Sequence, residues 1–293
     1  MKLTRRATLS SAAALSAWPL ARAAEAAAAA PSGPGQPTGQ WTSEFLDYDP
    51  VTNFRQAMRL QRSLLDEDDI LHWYHFIMVA VAPGRAPAPV VRWEGIELSR
   101  HKRVGTHLYR MHGHNLSFPR DLDSGEFTND VLNPATGKRV QPKTLALTGD
   151  PGLLASPAGT ITLDDPTATF RPKYTKLRRE GTMVKVDGIR VPPAEWPATF
   201  LEMGYESAPA ELFDDPGQLW LPTEVSGAYV FPYPDWMEMG DAAGHMFAAW
   251  TGSKLRSVDQ LPSAFLRRAQ AERPDLLSVD ETAFERVVKL PES

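Results

Sequence analysis

The stretch ILHWYHFIMVAVAP, residues 70–83, decides the fold class. It is dense in aromatic and β-branched side chains, which fit a pleated, half-buried surface, and it stops at Pro83-Gly84. It reads as a strand. Working outward, PVVRWEGIEL (89–98) and VGTHLYRMHGHNLSF (104–118) repeat the pattern. GEFTNDVL (125–132) and KRVQPKTLAL (138–147) flank Asn133-Pro134-Ala135-Thr136-Gly137, a good turn sequence. GTMVKV (181–186) and IRVPP (189–193) flank Asp187-Gly188, a pair that favours a tight hairpin. Many short strands with turns at this spacing predict a mainly β protein: an antiparallel barrel, calycin-like or a similar closed sheet.

Helices flank the strands. In NFRQAMRLQRSLLDEDD (53–69), Phe54, Ala57, Met58, Leu60, Leu64 and Leu65 recur at three-and-four spacing, with Asn53 as N-cap and the acidic run Asp66–Asp69 as the end. LPSAFLRRAQAERP (261–274) is bracketed by Pro262 and Pro274, and DETAFERVVKL (280–290) is a shorter candidate.

The chain's 293 residues, 42% hydrophobic and 23% charged, suffice for a sizeable core in one large domain, expected over 41–293. The absence of cysteine excludes disulfides, thiolate catalysis and cysteine metal sites. The opening MKLTRRATLSSAAALSAWPLARA (1–23) has a basic start, a short apolar run and Ala21-Arg22-Ala23 as a small-x-small cleavage site. Arg5-Arg6 followed by Thr8-Leu9 resembles a twin-arginine signal, so the expected partner is the twin-arginine export machinery and the expected location periplasmic. Residues 24–40, AEAAAAAPSGPGQPTGQ, read as a flexible linker. Cleavage after Ala23 removes four cations and moves the formal charge from −5 to −9. So acidic a body is a poor partner for nucleic acid, and no apolar run reaches the length of a membrane span.

Chemistry is sought first among the histidines, six of which fall between His72 and His114. In YRMHGHNL (109–116), His112 and His114 sit two apart and share one strand face with Arg110 and Leu108, a face expected to point into the barrel toward the ligand. Two imidazoles on one strand face can hold a metal, but the glutamate that completes such a pair in cupin barrels is absent, Phe118 and Pro119 standing there instead. No cofactor is required by the sequence; His112 and His114 are the metal ligands if there is one. A histidine beside a sheet more often hydrogen-bonds within the fold. Glu94, on the preceding strand, is expected to pair with Arg110, and Glu94 and Asp235 join the two histidines as acid–base candidates. Trp93, Arg110, Tyr233 and Trp236 are the candidate ligand-binding residues, the last two in the aromatic-rich YVFPYPDWMEM (229–239). Large apolar side chains are more often core. Asp164-Asp165 and Asp214-Asp215 each precede proline and read as turns. Nucleophile-elbow and phosphate-loop patterns do not occur.

GDPGLLAS (149–156) after NPATGKRV (133–140), and the closing PDWMEMGDAAGHMFAAWTGSKLRSVDQLPSAFL (234–266), resemble an exported bacterial family known as domain of unknown function eighteen thirty-eight. Trp236, Met239-Gly240, Gly244, Gly252, Lys254 and Leu261-Pro262 carry the resemblance, which spans Trp41 to Leu277. It implies export and a single domain and assigns no catalytic residue. The leading expectation is a periplasmic protein that binds a small hydrophobic or aromatic molecule in its barrel. The alternatives are an enzyme of lyase, isomerase or hydrolase type acting on such a molecule, and a structural envelope protein.

Replacing Arg5 and Arg6 together by lysine is expected to hold the uncleaved precursor in the cytoplasm, read by cell fractionation and immunoblotting. Unchanged export of that variant would reject the twin-arginine route.

Overall fold

The computed structural model describes residues 42–148, 152–162, 169–170, 176–190 and 201–285, all within the unit Thr42–Ser293. The expected leader, the expected linker and Asp164-Asp165 lie outside the described residues.

The almost wholly apolar run 70–81 lies in one strand, whose burial alternates from Phe76 to Val81 so that its two faces meet different cores. In order, the elements are β1 (Ser43–Phe45), α1 (Pro50–Gln61), β2 (Asp69–Val81), β3 (Ala88–Gly105), β4 (Leu108–Arg120), β5 (Val131–Leu132), β6 (Arg139–Val140), β7 (Leu145–Leu147), β8 (Leu153–Ser156), β9 (Gly159–Thr162) and β10 (Thr169–Phe170). Then come β11 (Leu177–Glu180), β12 (Met183–Arg190), β13 (Leu201–Pro209), α2 (Ala210–Asp214), β14 (Glu224–Phe231), β15 (His245–Leu255) and α3 (Ser263–Glu272). Short 3₁₀ turns follow α3 at Pro274–Leu277 and Glu281–Phe284. The protein is mainly β. One antiparallel sheet runs β1-β11-β12-β13-β14-β15-β2-β3-β4-β8-β9-β10, with β7 also on β4, and β5–β6 form a separate hairpin.

The sheet is strongly curled. β13 and β4 are five strand spacings apart, roughly 24 Å in a flat sheet. Yet α1 packs on both: Ala57 and Leu60 join Leu177, Val184, Val186 and Ala208 in one core, while the Phe54 ring lies 6.1 Å from that of Tyr109. The face that receives α1 is therefore the inner one. It carries Phe76, Met78, Trp93, Met246 and Ala248 in a second core. The outer face of β2, β3 and β4 is covered by α3 and the turn after it, through Leu71, Ile96, Leu98, Leu116, Phe118, Phe265 and Leu276. Among the described residues no ladder joins β1 to β10, so closure into a barrel is not part of the observed architecture.

Local differences from the sequence reading have physical reasons. The first helix begins at Pro50, because the Asp49 carboxylate accepts the Val51 and Thr52 N–H groups (3.0 and 3.1 Å) and proline suits the first turn. It stops at Gln61, well before the acidic run, of which Asp69 already belongs to β2. The stretch 104–118 is not one strand: β3 turns into β4 at Thr106-His107, with His107 in the left-handed region at φ 56°. Asp187-Gly188 is no hairpin either. β12 runs straight through it, Gly188 sits opposite Gly204, and the turn falls at Gly181-Thr182 instead. The turn around Asn133–Gly137 and the helix after Pro262 form where expected.

One buried cation fixes α1 to the sheet. Lys254, on β15 and 3% exposed, donates from Nζ to the carbonyls of Arg59, Leu60 and Arg62 at 3.0, 2.6 and 2.8 Å. Burial pushes its pKa down, to about 7. Three carbonyls at the negative end of a helix oppose that and favour the charged form. Lys254→Met would take this donor from the Arg59 and Arg62 carbonyls, while Leu60 would keep the Thr223 hydroxyl (3.0 Å). We expect it to lower the unfolding free energy by about 3 kcal/mol, read as a lower urea midpoint at unchanged slope.

Candidate functional site

The curl leaves an interrupted edge on β4. β7 pairs with Asn115–Ser117 and β8 with Tyr109–Met111. Between them, among the described residues, no strand pairs with His112–His114 on that side. A cavity of about 380 Å³ opens there, lined by Arg62, Glu97, Ser99, Met111–Asn115, Ala146–Thr148 and Leu153. Gly113 permits it: a Cβ at this position would meet Ser99 Cβ at 2.6 Å and the Leu98 carbonyl at 2.7 Å.

Alternation along β3 and β4 builds two different walls. Glu97, Ser99, Met111 and Asn115 face inward, toward α1. Arg62, just past the end of α1, donates from Nη1 to Glu97 at 2.7 Å and to Ser99 Oγ at 3.4 Å. Behind them the Tyr74 hydroxyl lies 3.2 Å from Asn115 Oδ1 and 3.1 Å from Ser117 Oγ, and burial pushes that phenol's pKa up. Met111, Leu147 and Leu153 supply an apolar rim. The Arg62–Glu97 pair is only partly exposed, with side chains at 16% and 35%, so it is screened less than a surface pair.

His112 and His114 face outward, beneath the C-terminal segment, and not into the barrel as expected; Tyr109 and Met111 take the inner face. His114 donates from Nε2 to the Leu276 carbonyl at 2.8 Å, and the His112 ring meets the Phe284 ring edge-on at 6.1 Å. Arg110, on the same face, donates to the Phe284 carbonyl at 2.9 Å. The expected Arg110–Glu94 pair is not what Glu94 forms. The register sets Glu94 opposite Phe118 and Arg110 opposite Lys102, and Glu94 takes Arg120 and the Trp73 Nε1–H (3.0 Å) instead. Asp235 is exposed at the start of a 3₁₀ turn whose Met237 is buried, so it lacks the burial expected to make it an acid–base group. Trp93 and Trp236 do come together, ring centres 6.4 Å apart, and Tyr233 joins them while donating to the Val81 carbonyl at 2.7 Å. They form packed core on the inner face, away from the two histidines. Among the described residues no three metal-ligating side chains converge, so no third ligand joins His112 and His114.

No family model matches the chain, and neither a curated protein nor a solved structure is similar to it. The residues that carry the family resemblance have structural work instead. Lys254 holds α1, Leu261 is in the core over the outer face, and Gly244 has φ 137° with the Tyr233 hydroxyl where a side chain would begin.

Arg62, Glu97, Ser99 and Asn115 are the cavity residues that sequence reasoning missed. A signal was present in Glu97 and Ser99, polar residues that alternate with Ile96 and Leu98 in a strand flanked by apolar ones. Arg62 had none, since it reads as the exposed flank of a helix.

The buried imidazoles make stability depend on pH. Burial holds His101 and His114 below the ordinary histidine pKa of 6.5, and His75 likewise. His101 donates from Nε2 to the Leu65 carbonyl at 2.7 Å, while its Nδ1 is buried without a partner, so a second proton there finds no acceptor. The unfolded chain binds protons first as pH falls. The neutral forms therefore stabilise the fold fully above 6.5, and that contribution is lost as pH drops through 6.5 toward the folded values. We expect the melting temperature to fall between about pH 7.5 and about pH 5, with a shallower slope in the double variant His101→Gln/His114→Gln, measured by circular dichroism.

Proposed function

We propose that this is an exported small-molecule-binding protein whose ligand occupies the cavity on the interrupted edge of β4. The observation that carries the reading is the convergence of a half-buried Arg62–Glu97 pair, Ser99 and Asn115 with the apolar rim of Met111, Leu147 and Leu153. About 380 Å³ is at the small end of the range for ligand sites, and a few fixed polar groups in an otherwise apolar wall are what orients a small molecule. The ligand class is a compact, partly apolar molecule with one polar group directed at Arg62 and Glu97. Trp93, Tyr233 and Trp236 brace the inner face next to this region rather than touching the ligand. The way the sheet wraps α1 supports a calycin-like barrel in the whole protein. The paired arginines at 5–6 and the Ala21-x-Ala23 site support twin-arginine export to the periplasm, and Trp236, Gly244, Gly252 and Lys254 support kinship with the exported family named above.

Native mass spectrometry of protein recovered from its own cell envelope tests the reading. The expected spectrum has a species heavier than the polypeptide by one small molecule. Arg62→Met and Glu97→Gln should each weaken retention about tenfold, the loss of one charged hydrogen bond. A spectrum of bare polypeptide, or full retention in both variants, would sink the proposal.

A further inference from the structure

The outer face of β12–β15 is a second, different surface. Its cross-strand neighbours form two rungs: Asp187, Tyr205, Ser226 and Thr251 in one, and Lys185, Ser207, Glu224 and Ser253 in the next. A cavity of about 460 Å³ lies on it, lined among others by Tyr205, Ser207, Glu224, Ser226 and Thr251. Tyr205 is 46% exposed, an aromatic side chain presented to water on a rigid strand. Ser226 and Thr251 stand opposite each other on adjacent strands, about 4.8 Å apart across the sheet, and Ser207 stands in the next rung.

Charge narrows the ligand class. The two cations at the rim are already paired: Arg178 with Glu180 and Asp187, and Lys185 with Glu180 at 2.5 Å. Glu224 adds a further carboxylate, which accepts from Ser253 Oγ at 3.3 Å. A phosphate or carboxylate ligand therefore meets neutralised cations and an extra negative charge. An apolar ligand would bury hydroxyls and ion pairs without replacing their hydrogen bonds with water. A neutral polyol that also has an apolar face meets neither objection.

We propose that this face binds a neutral saccharide, with the C–H face of one pyranose ring on Tyr205 and its hydroxyls on Ser226, Thr251 and Glu224. The aromatic ring carries negative charge on its face and attracts the polarised C–H groups of a sugar. The strands fix the hydroxyls before the ligand arrives, so little ordering is paid on binding. This site is independent of the cavity on β4 and stands whether or not that one holds a ligand.

The test is calorimetric titration of the purified protein with cellotriose, maltotriose and N,N′,N″-triacetylchitotriose, and with inorganic phosphate in parallel. At least one trisaccharide should give saturable binding, and phosphate none. Tyr205→Ala should weaken that binding about tenfold, the worth of one aromatic stack, with an unchanged circular dichroism spectrum. Tyr205→Phe, which keeps the ring, should restore most of it. Absence of saturable binding to all three sugars overturns the proposal. So does binding that Tyr205→Ala leaves intact, and so does binding of phosphate alone.

Discussion

A single helix held on the inner face of a curled sheet organises the described unit. α1 cannot touch β4 at one side and β13 at the other unless the strands between them bend around it. Lys254 fastens that arrangement from the middle of the sheet, and Arg62, one residue beyond the helix, carries charge into the space that the helix leaves unfilled. Without α1 in place, Leu177, Val184 and Val186 would lose Ala57 and Leu60 from the apolar cluster that covers them.

The same curvature explains why polar groups persist inside. A curled sheet brings side chains from distant strands onto one concave surface, and a helix of ordinary diameter covers only part of it. The covered part is apolar, around Leu60 and Leu177. Toward β3 and β4 the surface turns to Tyr74, Glu97, Ser99, Asn115 and Ser117, which hydrogen-bond to one another or to Arg62. A half-buried carboxylate kept beside a guanidinium is rarely the most stable filling for such a space, since apolar residues of equal volume often do as well. That makes a polar concavity a feature to be explained by binding rather than by stability.

How much of this was legible in the sequence follows from the range of each interaction. Strand character in 70–83 is local, carried by β-branched and aromatic side chains, and it was readable. Pairing order was not, because β2 lies between β3 and β15, and nothing in either segment names the distant partner. The Asp187-Gly188 pair misled for a related reason. Its local preference for a turn is outweighed by a ladder with β13 along the whole of β12. His112 and His114 do share a face, but it is the outer one and not the barrel interior that the sequence suggested. What lay over them was set by Leu276 and Phe284, more than 160 residues further along, beyond any local pattern.

That long reach has a consequence for how the chain acquires its structure. Lys254 and the end of α1 are separated by 194 residues, and His114 and Leu276 by 162. Contacts of such separation form slowly, because the loop must be closed before they repay its entropy. Before β15 and the segment after it have been made, β2 lacks one neighbour and the outer face of β4 lacks its cover. Until residues 245–284 have emerged, β2 is paired on one side only, with β3, and an apolar face of β4 stays open to water, so the middle of the sheet is the last part to be sealed.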